Sequence, residues 1–165
     1  MSLPPWAQVS AERRAHIARV VALLETWADA MRVDANERDR WLRAGWLHDA
    51  LRDGPFTDPL AHGPAAAERA AATGEKDQGV LDAVRYHTVG SADWDDVGRM
   101  LYLADFLEPG RDQNPERDRL ARCVPTQRDA VLREVVRRRI DWVVRSGWPL
   151  PEHTVAFWNS LATRP

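Results

Sequence analysis

Six side chains that could bind a metal ion recur between residues 16 and 105. They are imidazoles and carboxylates on or beside apolar helix faces, namely His16, His48, Asp49, His62, His87 and Asp105. Buried groups of these types are costly unless they are paired, hydrogen-bonded or coordinated to a metal. Because the facing helices of a bundle can aim such ligands at one internal point, the set predicts a metal centre built from separate helices.

The donor types narrow the choice of metal. Imidazole-rich sets with carboxylates suit iron, manganese, cobalt or zinc, whereas magnesium and calcium prefer oxygen ligands. We therefore expect a transition metal, with iron as the first expectation and one or two ions bound. Taken singly, each residue has a plainer explanation: His16 could be a core histidine, His62 a loop residue and Asp105 a surface carboxylate. The six residues taken together, in this order, favour a metal site over these separate explanations.

The elements that must position these ligands are helices. Apolar residues recur at three- and four-residue steps, and capping residues, glycines and prolines mark the ends. The predicted helices cover about 10–31, 34–53, 64–73, 77–88, 93–107, 116–123, 126–145 and 152–161. No segment of useful length alternates as a half-buried strand would. The fold class is therefore predicted as all-α, a bundle of about five core helices with helical additions at the C-terminus.

Length and composition favour one domain. A chain of 165 residues with 44% hydrophobic content can bury a continuous core without covalent staples. We expect a single domain over 1–165, with the metal-site core at about 10–111 and the C-terminal helices at about 112–165.

Charge and cysteine content exclude several classes of partner. Twenty-three basic and 25 acidic residues give a formal net charge of −2, so neither nucleic acid nor a membrane surface is an expected partner. The single cysteine, Cys123, excludes an intrachain disulfide. The chain shows neither a leader-like start nor an apolar run near the roughly 20 residues needed to cross a bilayer. We therefore expect a cytoplasmic protein; the oligomeric state stays open.

Other conspicuous residues are expected to be structural. Arg137, Arg138 and Arg139 fall inside a helical pattern, which favours a solvent-facing surface over a nucleic-acid patch. The eight tryptophans are scattered along the chain, which favours packing in the core and between helices. His153 lies outside the ligand series and is also expected to be structural.

The ligand series also resembles a known signature. Its order, with His48 and Asp49 adjacent and two further histidines before the final Asp105, resembles that of HD-domain phosphohydrolases. The flanking segments are similar to the YqeK-type branch: AGWLHDALR (44–52), AHGPAAAE (61–68), AVRYHTVG (83–90) and YLADFLEPGR (102–111). The resemblance runs from about residue 14 to residue 111 and continues weakly over 148–161. An HD pair alone is a weak signal, but the full ordered set is specific.

The resemblance implies an HD-domain helical bundle and an enzyme. This branch is similar in activity to symmetrical bis(5′-nucleosyl)-tetraphosphatases, which split diadenosine tetraphosphate into two ADP. The expected partner is thus a dinucleoside polyphosphate. A first metal would be held by His16, His48, Asp49 and Asp105. Asp49 could bridge to a second ion supported by His62 and His87, so the candidate catalytic residues are His48, Asp49, His62 and His87.

Arg52, Thr88 and Arg111 are the candidate substrate-binding residues. Arg52 stands where the family commonly has a lysine, which keeps the positive charge but changes its geometry. The alternative for either arginine is a surface ion pair with a neighbouring carboxylate. Glu108 and Thr88 are also candidates for orienting the ligands.

A helix N-terminus predicted at Pro64 would place unpaired amides beside His62, where they could bind phosphate.

Other functions stay open at this stage. The same scaffold could serve a nucleotidase or phosphodiesterase, a di-iron oxygenase of the HD type, or a non-catalytic nucleotide-binding domain. The stretch between the HD pair and His62 is short compared with many relatives, so the nucleotide is the least constrained part of the prediction.

Overall fold

The computed structural model describes residues 2–110 and 114–162 and has helices but no strand in those ranges. The elements are α1 (Ala11–Met31), α2 (Ala35–Leu47), α3 (His62–Ala72), α4 (Gln78–Tyr86), α5 (Asp96–Leu107), α6 (Pro115–Arg145) and α7 (Glu152–Leu161). The predicted all-α class is confirmed.

Capping residues fix several helix starts where the sequence predicted them. The side chain of Ser10 accepts a hydrogen bond from the backbone N–H of Arg13, and that of Asp34 accepts one from Glu37. Each cap satisfies an amide that has no partner inside its helix. The Glu37 carboxylate accepts a hydrogen bond from Nε1 of the buried Trp41 at 2.8 Å, which links the first turn of α2 to a core residue.

Several predicted helix boundaries were wrong. α2 ends at Leu47, and turns occupy the following residues that were predicted to be helical. α3 begins at His62 instead of Pro64, because the backbone N–H of Ala65 already bonds to the carbonyl of Ala61 and a proline in the first turn removes no needed donor. α5 begins after Asp95, not at 93, because the Asp95 carboxylate is the one that caps Val97.

The two helices predicted over 116–123 and 126–145 form one element, α6, with a kink. Pro125 lies inside it, and Gln127 has non-helical backbone angles (φ −138°, ψ 34°). Because proline lacks an N–H and crowds the preceding turn, the bend is expected next to Pro125.

Helix α5 lies at the centre of the bundle. It contacts α1, α2, α4 and α6, and all of its apolar side chains except the half-buried Phe106 are buried. α7 closes one side, where Phe157 packs edge-on against Trp94 and Tyr102 with ring centroids 5.2 and 5.5 Å away. The core therefore surrounds the helix that carries Asp105.

Tryptophan packing is confirmed for Trp27, Trp41 and Trp94, which are buried. The prediction was wrong for Trp142 and Trp148, which are 58% and 57% exposed and pack mainly against each other near the end of α6. No helix in the described ranges is both long and apolar enough to span a bilayer.

Candidate metal centre

The six predicted ligands meet at one place inside the bundle. His16 lies in α1, His48 and Asp49 follow the end of α2, His62 opens α3, His87 follows α4, and Asp105 lies in α5. Each of the six is at most 5% exposed. Their convergence is a product of tertiary packing, since five separate stretches of chain contribute.

Asp49 occupies the middle of the cluster. Its Oδ1 lies 3.1 Å from Nε2 of His62 and 3.3 Å from Nε2 of His87. Its Oδ2 lies 3.7 Å from Nε2 of both His16 and His48. One carboxylate thus faces two pairs of imidazoles, one pair with each oxygen.

Two groups could each hold a cation, and both include Asp49. His16, His48 and Asp49 offer donor atoms within 4.8 Å of one another, and so do Asp49, His62 and His87. Asp105 adjoins the first group, with Oδ1 3.2 Å from Nε2 of His16. The arrangement has room for one ion or for two that share Asp49.

Backbone carbonyls set the orientation of three imidazoles. The Nδ1 atoms of His48, His62 and His87 lie 2.7 to 2.8 Å from the carbonyls of Gly45, Pro59 and Val84, in each case three residues earlier. A ring nitrogen facing a carbonyl oxygen carries the proton, so the other ring nitrogen is left with a lone pair. In the neutral form of each of these three rings, Nε2 therefore carries the lone pair and faces Asp49.

His16 is oriented by a side chain instead. Its Nδ1–H donates to Oε1 of Glu108 at 3.1 Å. Glu108 is itself held at Oε2 by Nε of Arg19 at 2.5 Å and by the backbone N–H of Gly110 at 2.8 Å. A carboxylate behind a metal-binding imidazole commonly fixes its ring and raises its basicity.

Two buried imidazole nitrogens of the cluster lack a hydrogen-bond partner in the part of the chain that the structure describes. Nε2 of His16 and Nε2 of His48 are buried and have no hydrogen-bond partner within the described ranges. Buried polar atoms are almost always paired, so two of them in one cluster require an explanation. Inward-facing imidazole nitrogens with carboxylates fit a transition-metal cation.

The charge states in the cluster also suit a cation. Burial lowers the pKa of His48 to about 4, so this imidazole is neutral at neutral pH. Burial alone would raise the pKa of Asp49, but the surrounding imidazoles of His48, His62 and His87 hold it well below its ordinary value. Burial lowers the pKa of His16, yet Asp105, Glu108 and Asp49 raise it overall. The carboxylates thus favour positive charge at the inner face of His16.

Two arginines beside the cluster were missed by the sequence analysis. Nη1 of Arg13 lies 2.8 Å from Oδ2 of Asp49, and Nη2 of Arg139 lies 3.5 Å from Oδ2 of Asp105. Arg13 could have been found, because it precedes His16 by three residues and shares its helix face. Arg139 was expected to face solvent, which holds for Arg137 but is wrong for Arg139.

The predicted substrate contacts lie at different distances from the cluster. The Thr88 hydroxyl is 3.2 Å from Nε2 of His87. Arg52 is half-buried and forms no ion pair with any described residue; the neighbouring Asp53 carboxylate accepts instead from the backbone N–H of Ser10 at 2.6 Å. Arg111 lies outside the described residues.

Gly63 allows the close approach of α3 to the end of α4. A Cβ at this position would lie 2.9 Å from the carbonyl oxygen of Arg85 and 3.0 Å from that of Val84. Contacts this short essentially do not occur, so any larger residue would push the helices apart. Gly63 therefore permits His62 and His87 to meet, with their Nε2 atoms 3.0 Å apart.

The fold and this cluster define an HD-domain protein. The HD domain family model matches residues 13–122, and the chain belongs to that family. The match includes all six clustered residues.

Two curated relatives are similar to this chain over nearly two thirds of its length. The chain is 27% identical over 107 residues to a Halalkalibacterium halodurans protein and 28% identical over 107 residues to a Bacillus subtilis protein. Both carry the name "Bis(5′-nucleosyl)-tetraphosphatase, symmetrical". The matched segments cover 64% and 63% of this chain but only 57% and 56% of those relatives. The chain thus spans little more than half the length of the relatives it matches.

A solved structure supports the fold. A Clostridium acetobutylicum protein, described as a predicted HD superfamily hydrolase involved in NAD metabolism, superposes with a TM-score of 0.77. The superposition covers 93% of this chain and 90% of that one, at 22% sequence identity. The superposed share of this chain is larger than the segment matched by the family model, so the likeness in fold extends beyond residues 13–122.

Proposed function

We propose that this protein is a metal-dependent phosphohydrolase that cleaves dinucleoside tetraphosphates symmetrically, with diadenosine tetraphosphate yielding two ADP. The observation that carries the proposal is the position of Asp49, which faces four imidazole Nε2 atoms from two sides. The names of the curated relatives support the choice of reaction.

The proposed ligands divide into two sets. His16, His48, Asp49 and Asp105 hold one ion, and Asp49, His62 and His87 can support a second. Iron is the first candidate, with manganese, cobalt and zinc as alternatives. A metal held there supplies Lewis-acid polarisation of a phosphoryl oxygen and lowers the pKa of bound water toward neutrality.

The chain's own residues prepare the site for that chemistry. Backbone carbonyls fix the rings of His48, His62 and His87, so no reorientation is needed when a ligand enters. The imidazoles around Asp49 hold the pKa of its carboxyl well below the ordinary value, so this side chain stays anionic. The surrounding burial excludes bulk water, which strengthens every electrostatic contact with a phosphate chain.

Positive groups near the centre suit a polyanionic substrate. Arg13 lies against Asp49, and the half-buried Arg52 has no carboxylate partner among the described residues. Arg52, Thr88 and Arg111 are the proposed substrate contacts. Ala61 provides no side-chain cap for α3, so the first amides of that helix add positive potential beside His62.

The reaction is tested with purified protein loaded with Fe(II) or Mn(II). The protein is incubated with diadenosine tetraphosphate, and the nucleotides are resolved by chromatography over time. Two ADP per substrate consumed is the expected product ratio, and chelation should abolish it. AMP with ATP, or no nucleotide above the chelated control, contradicts symmetrical hydrolysis.

A matched pair of histidine variants tests the assignment of the site. His48→Ala removes a buried imidazole from the cluster and should abolish ADP formation. His153→Ala removes the one histidine outside it, an exposed residue that stacks on Tyr86, and should retain most activity. Equal losses in the two variants would mean that the cluster is not the active site.

A further inference from the structure

Arg139 reaches the metal centre from outside the matched family segment. It lies in α6, whereas the HD family match ends at residue 122. Its guanidinium carbon lies 4.7 Å from the ring centroid of Tyr102 and 5.8 Å from that of Phe106. Such contacts between a cation and aromatic faces stabilise a buried guanidinium and limit where it can turn.

The polar contacts of Arg139 are few for a guanidinium whose side chain is only 20% exposed. Its Nη2 lies 3.5 Å from Oδ2 of Asp105. Its Nη1 is buried without a hydrogen-bond partner among the described residues. Leaving a charged donor unsatisfied is costly, so packing alone does not account for an arginine here.

The two oxygens of Asp105 face different groups. Oδ1 lies 3.2 Å from Nε2 of His16, on the side of the cluster, and Oδ2 lies toward Arg139. A carboxylate whose second oxygen contacts a guanidinium offers a metal one oxygen only. It also offers less negative charge, because the guanidinium shares it.

We propose that Arg139 is a positioning residue that keeps Asp105 a one-oxygen ligand and weakens the hold of the centre on its cation. The inference rests on the proposed metal-dependent function and deepens it. With Oδ2 withheld from the ion, more of the metal's coordination is left for a phosphate oxygen and water. A metal that is bound less tightly by carboxylate is also a stronger Lewis acid.

The sign of the effect on metal affinity distinguishes this role from a merely structural one. Arg139→Met removes the positive charge beside Oδ2 of Asp105 while keeping much of the side-chain volume. Loss of a nearby positive charge should lower the dissociation constant for Mn(II) by about tenfold or more. Damage to a structural support would raise that constant instead.

The measurement is a calorimetric titration of the metal-free protein with Mn(II), with kcat and KM for diadenosine tetraphosphate measured in parallel. Arg139→Met should bind Mn(II) more tightly and have a lower kcat, and the electron paramagnetic resonance spectrum of bound Mn(II) should change. Arg139→Lys keeps the charge and should stay within about threefold of the parent affinity. Arg139→Gln, a second neutral variant that retains a polar tip, should shift affinity in the same direction as methionine.

Arg137→Met is the charge-matched control. Arg137 lies two residues away in α6, is exposed, and pairs with Glu134 and Asp141. Its variant should leave Mn(II) affinity and kcat unchanged. Unchanged or weaker Mn(II) binding in both neutral Arg139 variants would overturn the inference. A parent protein that binds Mn(II) but produces no ADP would refute the proposed reaction while leaving the role of Arg139 in metal binding to be judged from the titrations.

Discussion

The Nε2 atoms of His62 and His87 lie 3.0 Å apart, closer to each other than either lies to Asp49. Both rings direct Nδ1–H to a backbone carbonyl, so both Nε2 atoms present lone pairs. Two lone pairs at this distance repel unless a positive group lies between them. We therefore expect a cation bound between the two rings to stabilise the bundle.

Metal loading should stabilise the fold. At a free Mn(II) concentration of about 100 times its dissociation constant, binding contributes about 2.7 kcal/mol to the free energy of unfolding. For a chain of this size that corresponds to a rise in Tm of about 5–10 °C, measured by calorimetry against chelated protein. Mg(II), which prefers oxygen ligands, serves as the control and should give a much smaller rise. Equal shifts with the two ions would contradict an imidazole-rich centre.

Glu108 should be required for tight metal binding although it is not a proposed ligand. Glu108→Ala leaves Nδ1 of His16 without its acceptor and Arg19 without its partner. The dissociation constant for Mn(II) should rise about 10–100-fold in a titration of the metal-free protein. Glu68→Ala, at an exposed glutamate of α3, is the control and should leave the dissociation constant for Mn(II) unchanged. Parent-like affinity in the Glu108 variant would exclude the orienting role.

Gly90 should not tolerate a side chain. Its φ of +86° disfavours other residues, and a Cβ would lie 2.3 Å from Cδ1 of Phe157. Gly90→Ala should lower the free energy of unfolding by about 2–4 kcal/mol in a denaturant titration. Gly147 has a φ of +69° with nothing described within 4 Å of its Cβ, so Gly147→Ala reports backbone strain alone, about 1 kcal/mol. The difference between the losses of unfolding free energy in Gly90→Ala and Gly147→Ala therefore measures the cost of the clash with Phe157.

Arg40 should make stability depend on pH. Its guanidinium contacts Glu37, Asp77 and Asp95, which joins α2 to the residues that cap α4 and α5. The hydrogen bond from Arg40 holds the pKa of Asp77 below its ordinary value. A depressed carboxyl pKa stabilises the fold above the unfolded-state pKa, and that contribution is lost as the pH falls through the folded-state pKa. Acid should therefore destabilise the parent more than Arg40→Met.

The size of the effect follows from burial. The Arg40 side chain is 17% exposed, so Arg40→Met should cost about 1–3 kcal/mol at neutral pH, measured by urea unfolding at several pH values. Arg38 lies in the same helix and pairs with Glu25 and Asp29, but those carboxylates are more exposed. Arg38→Met should thus cost less than about 1 kcal/mol. Equal losses of stability in the two variants, or a pH profile unchanged by Arg40→Met, would rule out the ion pairs of Arg40 as the source of the pH dependence.

Local signals in the sequence predicted helix starts where one cap dominated. The side chains of Ser10, Asp34 and Asp77 each accept a hydrogen bond from the amide three residues along, so the nearby sequence is enough to predict these starts. The start of α5 was misplaced because several aspartates precede it and only packing selects Asp95. The fold class needed only the periodicity of apolar residues.

The ligand types and order were visible in the sequence, but their geometry was not. Nothing local indicates that Asp49 lies between two pairs of imidazoles, since that depends on how α3 meets α4 at Gly63. Arg139 was misassigned for a similar reason. Its helix face is determined by the packing of α6 on α5, and it contacts a residue 34 positions away.

The ties from His48, His62 and His87 to the carbonyls three residues earlier have an evolutionary consequence. Every amino acid supplies a backbone carbonyl, so Gly45, Pro59 and Val84 could be replaced without loss of the acceptor itself. The ring tautomers at these three sites are therefore robust to sequence drift at the positions that support them. His16 depends on a particular side chain, Glu108, and any lineage that keeps the first imidazole must keep a suitable acceptor 92 residues downstream.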